Sequence, residues 1–344
     1  KKINAETLAR LERALMDAAS IMESKKSSGP DFFEAFKLDL YAPNNNFMKE
    51  LINGLDLSYL KYIKELDRIK DTNLKNAFIQ LLKIKDLDER KSKWEKLQVN
   101  INSIKQVPYL ANPYFVGFGN PKAKVLFIGK EKGFDVYKAP KSFFNESVNN
   151  ILQWQAINGN KQDFKDSFDP RNPRISYPDK IYLRHTWGKY AQIISGLYPK
   201  AKLNELLEDY TKTKHSLFDY CFMTEINHMP SKYSKGFRLN DERFKILQNQ
   251  FYRSFEAIII GAKGYLKQDQ IKSLFQVNLD AKAYHLDYKG KNNSKEITCD
   301  IYKSDTQLII YCQQLSGASG WTNEAIKQLI EIIKKDQIHE TTLA

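Results

Sequence analysis

The apolar run Val-Leu-Phe-Ile-Gly at residues 125–129 constrains the fold of this chain more than any other feature. Four apolar residues that lead directly into a glycine indicate a strand buried on both faces of a sheet. A second run, Leu-Ile-Ile-Tyr-Cys at 308–312, precedes a Ser/Gly loop and a helix that starts near Thr322. Ligands of open α/β sheets bind beyond the carboxyl ends of such strands. Because Glu131 closely follows the first run, we predict that its carboxylate lies at this edge.

Strand and helix patterns alternate through the rest of the chain. Strands are predicted at 124–128, 220–224, 256–260 and 306–311, with a weaker one at 282–286, and helices at 186–196, 240–254, 267–275 and 322–335. Such alternation favours an α/β fold. We predict a three-layer α/β/α sandwich with a mostly parallel central sheet over residues 106–344. The polar, aromatic and proline-containing span 138–181 is predicted to be a long insertion or lid.

The first part of the chain has a different pattern. Apolar residues recur at helical spacing, as in Leu8, Leu11, Leu15 and Ala18. We therefore predict an all-helical N-terminal domain over residues 1–105. Its role stays open, because it could bind DNA, a protein partner or a second copy of itself.

Charge and cysteine content restrict the classes of partner and compartment. The net charge of +13 makes a polyanion the first partner to consider. No run of 18 apolar residues occurs, so no membrane span is expected. Three scattered cysteines favour a reducing cytoplasm over a disulfide framework, and they supply neither an iron–sulfur cluster nor a paired zinc motif. We expect a cytoplasmic protein without a metal or a cofactor.

Several segments together resemble the uracil-DNA glycosylase superfamily over roughly residues 115–335. They are the first loop Gly-Lys-Glu-Lys-Gly (129–133) with its lead-in 120–128, the strand end 222–230, the strand 255–262, and Gln-Leu-Ser-Gly (314–317). The chain departs from the family pattern in three places. Lys130 stands where a glutamine is frequent, Gln314 where the second motif has His or Asn, and Leu315 where it has Pro.

The resemblance implies catalytic roles for Glu131 and Gln314. Cleavage of an N-glycosidic bond builds positive charge on the sugar and negative charge on the departing base. The Glu131 carboxylate would stabilise the sugar cation and orient a water, and the Gln314 amide would donate to the base. Alternatively, Glu131 is an exposed loop carboxylate, and Gln314 caps the final helix or braces a loop.

The resemblance also implies substrate-binding residues. A flipped base needs an aromatic ring to stack on, and Phe144 and Tyr182 are rival candidates for that ring. The other predicted substrate-binding residues are Gly129, Lys130, Gly133, Thr224, Asn227, His228, Ser316 and Gly317. The aromatic rings could instead pack in the core, Thr224 and Asn227 could make ordinary strand-end hydrogen bonds, and His228 could be structural.

The resemblance implies double- or single-stranded DNA as the partner, and contacts to the DNA backbone are predicted at two places. One is the basic cluster Lys232, Lys235 and Arg238, and the other is the second loop with Ser319 and Trp321, which could pinch or wedge the strand. The basic cluster could also be a solvated loop.

These features favour a DNA glycosylase that acts on a flipped-out uracil, mismatched or modified base. One alternative is a catalytically inactive module of the same fold that binds foreign or modified DNA. Another is a nucleoside or nucleotide hydrolase. A pocket with Glu131 opposite Gln314 would favour catalysis, whereas a pocket filled by Lys130 or Lys132 would favour binding alone. Which base is recognised stays open.

Overall fold

The computed structural model describes most of the chain beyond residue 109 and part of the helical segment before it. The described residues are 51, 66–67, 69–84, 86–101, 110–133, 135–138, 143–151, 154, 183, 185–208, 216–231, 240–277, 282–286, 297–304, 307–316 and 319–336. The predicted helices of residues 1–50 and most of the predicted lid 138–181 lie outside these ranges. So do Tyr182, Lys232, Lys235, Arg238 and Gly317.

Helices occupy the first described segment and the connections between strands. In chain order they are α1 (Thr72–Lys83), α2 (Leu87–Ile101), α3 (Thr186–Leu197), α4 (Leu203–Leu207), α5 (Leu217–Tyr220), α6 (Asp241–Leu247), α7 (Gln268–Phe275) and α8 (Asn323–Asp336). A π-helix (Phe144–Val148) and a 3-10 helix (Tyr252–Ser254) add to them. The predicted start of α8 is confirmed, since the Thr322 hydroxyl accepts a hydrogen bond from the Ala325 amide at 3.2 Å.

Seven described strands form one sheet. They are β1 (Phe118–Gly119), β2 (Val125–Gly129), β3 (Cys221–Glu225), β4 (Ala257–Gly261), β5 (Lys282–Leu286), β6 (Ile297–Lys303) and β7 (Leu308–Cys312), in the spatial order β1-β3-β2-β4-β7-β6-β5. The three pairings among β3, β2, β4 and β7 are parallel, and the three others are antiparallel. The α/β class is therefore confirmed, but the sheet is mixed rather than mostly parallel.

Helices pack on both faces of this sheet. Phe127 pairs in register with Met223, and Leu126 pairs with Phe222, so Phe127 and Phe222 project from opposite faces. Tyr190 of α3 stacks on Phe127 with ring centroids 4.0 Å apart. Phe251, which follows α6, packs edge-on against Phe222 at 5.1 Å. The chain segments around α3 and α6 thus cover different faces.

Two sequence predictions need correction. β1 and β6 were not predicted, because β1 has two residues and β6 alternates buried with half-buried side chains. The continuous helix predicted at 240–254 is wrong, since α6 ends at Leu247 and a 3-10 turn begins at Tyr252. The side chain of Asn249 explains the break, because it accepts a hydrogen bond from the Phe251 amide at 2.9 Å and forms a local turn.

A second hydrophobic core lies beside the main one. It joins Phe78 and Trp94 of α1 and α2 to Leu110, Phe143 and Phe144. This core contains residues from both sides of position 105. The division into domains at 105/106 stays a prediction, but the described helices before it pack against the segment that follows.

Among the described residues, no helix combines the length and the apolar character that a membrane crossing needs. The three cysteines are free and buried. The cytoplasmic localisation stays a prediction.

Candidate functional site

The parallel strands of the sheet end at one edge, where the loops after β2 and β4 separate. The chain passes from β2 to β3 on one side and later to β4 on the other side. Such a reversal opens a crevice between the two loops, and ligands of open α/β sheets bind there. We call the space between the loop after β2 (130–133) and the loop after β4 (262–265) the switch crevice.

Glu131 lies at this crevice and is held by a residue from its opposite side. Its side chain is only 8% exposed. The Tyr265 hydroxyl donates a hydrogen bond to Glu131 Oε2 at 2.6 Å. A buried carboxylate carries a desolvation cost that a charge-assisted hydrogen bond offsets in part. Glu131 is therefore a buried and oriented group rather than an exposed loop carboxylate.

The two lysines beside Glu131 rest against aromatic rings. Lys130 Nζ lies 5.0 Å from the centroid of the Tyr265 ring. Lys132 is 8% exposed, and its Nζ lies 3.2 Å from the centroid of Phe115. Cation–π contacts hold an ammonium group without neutralising it. The loop thus keeps two positive charges next to the carboxylate.

A second carboxyl group, that of Glu225, lies next to Glu131. Glu225 is the last residue of β3 and pairs in register with Gly129. Burial raises the pKa of Glu225 to about 8; the nearby charges of Lys132 and Arg243 lower it, and that of Glu131 raises it. Burial therefore favours the protonated form of Glu225.

Arg243 of α6 holds the carboxyl end of β3 through hydrogen bonds. The guanidinium is fully buried; its Nε donates to the Glu225 carbonyl at 3.0 Å and its Nη2 to Thr224 Oγ1 at 2.7 Å. Another of its nitrogens donates to the Phe115 carbonyl. Burial lowers the pKa of Arg243, and interactions with Tyr252 and Glu225 raise it. Because these hydrogen bonds go to backbone carbonyls and to a structural hydroxyl, Arg243 acts as a brace.

The predicted base-reading role of Thr224 does not fit the structure. Its hydroxyl accepts from Arg243 and donates to the Val116 carbonyl at 2.8 Å, and the residue is buried. Asn227 remains half-buried in the loop after β3, where its Oδ1 accepts from the Met229 amide at 3.1 Å. His228 beside it is buried.

Backbone hydrogen bonds join the loops after β2 and β3. The Ile226 amide donates to the Gly129 carbonyl at 2.9 Å, and the Asn227 amide donates to the Lys130 carbonyl at 2.7 Å. The predicted loop residues Gly129, Lys130 and Asn227 are thus brought together with Glu131, and Gly133 follows them half-buried.

The second predicted loop follows β7. Gln314 is half-buried, and its carbonyl accepts from the Ser316 amide at 2.8 Å, while Ser316 Oγ lies 3.1 Å from Ser319 Oγ. Trp321 is 2% exposed and donates to the Gln313 carbonyl at 3.3 Å. Its predicted role as a wedge into DNA is therefore wrong for this conformation, because the indole is part of the main core.

Phe144 lies in the second core and not at the crevice. It is 2% exposed and stacks on Trp94, with ring centroids 5.0 Å apart. One face of the ring is covered by Trp94, so a base could stack there only if this packing opened. The structure therefore gives Phe144 a packing role.

The sequence prediction missed three residues of the site: Glu225, Tyr265 and Arg243. Glu225 carried a usable signal, because it is a carboxylate at the end of an apolar strand, like Glu131. Tyr265 and Arg243 carried none, since their partners lie far away in sequence. Among the described residues, no group of three or more His, Cys, Asp or Glu side chains is placed to hold a metal ion.

Comparison with known proteins identifies no relative of this chain. No protein-family model matches this chain, no curated protein matches it, and no solved structure matches it.

Proposed function

We propose that this chain hydrolyses the N-glycosidic bond of a flipped-out uracil, mismatched or modified base in DNA. The observation that carries the proposal is the buried Glu131 carboxylate at the switch crevice, oriented by the Tyr265 hydroxyl. A fixed carboxylate can stabilise the oxocarbenium-like sugar and orient the attacking water. The resemblance of the 129–133 loop to the first motif of uracil-DNA glycosylases supports the same role.

The separation of the predicted groups suits a nucleotide. Glu131 follows β2 and Gln314 follows β7, with β4 between them. Two strand spacings amount to about 10 Å. A sugar placed at Glu131 could therefore extend its base toward the Gln314 amide. The net charge of +13 favours a polyanionic substrate over a free nucleoside.

One observation favours the second candidate, a module that binds DNA without cleaving it. Lys130 and Lys132 flank Glu131 and rest on aromatic rings, so this loop carries positive charge beside the carboxylate, as a loop that binds phosphate would. In that case Glu131 would orient the lysines, and no base would be released.

Base release from labelled oligonucleotides separates the two candidates. The panel carries uracil, hypoxanthine, mismatched thymine and 5-hydroxymethyluracil in duplex and single-stranded DNA. We expect native protein to release at least one base, and Glu131→Gln to reduce the rate at least about 100-fold. Glutamine keeps an acceptor for Tyr265, so the fold should persist.

Glu256→Gln is the matched control for this test. Glu256 is 42% exposed and pairs with Lys124 at 3.1 Å, at the amino ends of β4 and β2 and therefore at the opposite edge of the sheet. It should release base at the native rate. Salt-sensitive DNA binding without base release, the same in native protein and Glu131→Gln, would reject the glycosylase and favour the binding module.

A further inference from the structure

Two cysteines face each other across strands β6 and β7. Cys299 of β6 pairs in register with Cys312, the last residue of β7, and the two strands are antiparallel. Both side chains are fully buried, and both thiols are free. The third cysteine, Cys221, lies on β3, which β2 and β4 separate from β7. The pair on β6 and β7 therefore stands apart from the third thiol, and the proposed hydrolysis uses none of the three.

The backbone hydrogen bonds identify the kind of cross-strand pair that the two cysteines form. The Ser304 amide donates to the Gln307 carbonyl at 2.9 Å where the two strands meet their turn, so these two residues are a hydrogen-bonded pair. Hydrogen-bonded and non-hydrogen-bonded pairs alternate along an antiparallel ladder. Counted from the turn, Cys299 and Cys312 are a non-hydrogen-bonded pair. The Cys312 carbonyl agrees with this assignment, because it accepts from the Lys263 amide on the β4 side at 2.8 Å.

A non-hydrogen-bonded pair brings two side chains close enough for a disulfide bond. Its Cα atoms lie about 4.5 Å apart, within the roughly 4.4–6.8 Å that a disulfide spans. The two thiols are already in contact, since Cys312 shares a side-chain hydrogen bond with Cys299. A cross-link between them therefore requires no change of register and no sliding of one strand along the other.

The surroundings of the pair make its oxidation slow. The hydrogen bond with Cys299, together with burial, raises the pKa of Cys312 well above its ordinary value, and a buried, protonated thiol reacts slowly. Oxidation therefore needs a transient opening of the sheet. β5, the edge strand next to β6, has three exposed residues among its five, so this end of the sheet should open at a lower free energy than the central strands.

We propose that Cys299 and Cys312 are a reversible oxidation site, a dithiol that hydrogen peroxide converts to a disulfide. The bond ties β6 to the carboxyl end of β7, at the point where the loop with Gln314 departs. The loop after β4 is attached at the same point through the Lys263 amide. The site therefore places a redox-dependent cross-link beside the switch crevice, and it does not depend on what the chain hydrolyses.

The oxidation is balanced in atoms and electrons. One thiol loses its proton, and the thiolate attacks a peroxide oxygen; the O–O bond breaks, and the departing hydroxide takes up the released proton, which leaves a sulfenic acid. The sulfur of the second thiol attacks the sulfenic sulfur, the S–O bond breaks, and the departing hydroxide takes the second thiol proton. The two sulfurs lose two electrons in total, and hydrogen peroxide is reduced to two water molecules. A small thiol reverses the bond by thiol–disulfide exchange.

The test treats folded native protein with hydrogen peroxide and counts the thiols that remain. After the oxidant is removed, the protein is unfolded in urea, labelled with N-ethylmaleimide and weighed by mass spectrometry. We expect the labels to fall from three to one, with the last label on Cys221, and dithiothreitol to restore all three. Peptide mapping should find Cys299 joined to Cys312. Cys221→Ala is the matched control, and its labels should fall from two to none.

The outcomes decide the oxidation site without reference to base release. Native protein that lacks the Cys299–Cys312 disulfide after a treatment that oxidises glutathione in a parallel sample overturns the proposal, and so does a disulfide that includes Cys221. Protein oxidised after unfolding in urea is the comparison, because there Cys221 should pair with either partner. Cys312→Ala should keep two labels after peroxide, and the peptide map of native protein decides the question if this variant does not fold.

Discussion

Replacement of Glu225 by glutamine tests how the proton on the Glu225 carboxyl group contributes to the pH dependence of folding stability. The carboxyl group binds its proton more tightly in the folded chain than in the unfolded one, since burial raises its pKa from 4.5 to about 8. Its contribution to stability is therefore fully present below pH 4.5 and is lost as the pH rises through about 8. Glutamine has no proton to lose, so Glu225→Gln should not show this decline.

The size of the effect follows from the shift. Each pKa unit corresponds to about 1.4 kcal/mol, so the full shift of Glu225 amounts to about 5 kcal/mol. The side chain is partly exposed, and solvent screens part of this energy. We therefore expect the free energy of unfolding of Glu225→Gln to gain about 2–3 kcal/mol over native protein between about pH 5 and about pH 8.5.

Urea denaturation at several pH values measures this difference. Glu256→Gln is the control, because its carboxylate is exposed and belongs to a surface ion pair. Its difference from native protein should stay within about 0.5 kcal/mol across the range. A difference between Glu225→Gln and native protein that is equally constant would refute the reasoning, because it would mean that folding does not change the proton affinity of Glu225.

Three further predictions concern the framework of the site, each measured by urea or thermal unfolding. Gly117→Ala should lower the free energy of unfolding by more than about 3 kcal/mol, because the added Cβ would lie 2.2 Å from a backbone oxygen at a residue whose φ is +139°. Gly264 also has a positive φ, of +92°, but open space surrounds it, so Gly264→Ala should lower the free energy of unfolding by only about 1–2 kcal/mol. Tyr265→Phe should cost about 1.5–3 kcal/mol and slow base release, because Glu131 loses its donor; an unchanged rate would mean that this orientation is dispensable. Arg243→Met should cost at least about 3 kcal/mol, since it leaves several buried acceptors unpaired, and a fully stable variant would contradict its role as a brace.

The buried strands could be predicted from the sequence because their composition is uniform. Every residue of β2, β4 and β7 is buried, so an apolar run marks each of them without help from the rest of the chain. β6 alternates buried residues with half-buried ones such as Asp300, and it pairs antiparallel with β7. Local composition does not distinguish such a strand from a loop, and this is why the sheet was expected to be mostly parallel.

The sequence predicted a residue of the candidate site only where a chemically suitable side chain directly follows a recognisable strand. Glu131 was found because it follows β2, and its burial agrees with a role at the edge of the sheet. Tyr265, its partner, is 134 residues away, and only the folded sheet brings the two together. Phe144 shows the opposite problem, since its spacing from Glu131 suits a stacking ring, whereas its environment next to Trp94 is set by the distant helix α2.

The second core limits where this chain can be cut into separately folding fragments. Trp94 covers Phe144, and the two halves of that core come from opposite sides of residue 105. A fragment that began at 106 would expose a patch of aromatic and aliphatic side chains, and such patches promote aggregation. Helices α1 and α2 are therefore not a detachable accessory. A gene rearrangement that moved the sheet to another protein would have to carry α1 and α2 with it, or replace the apolar surface they cover.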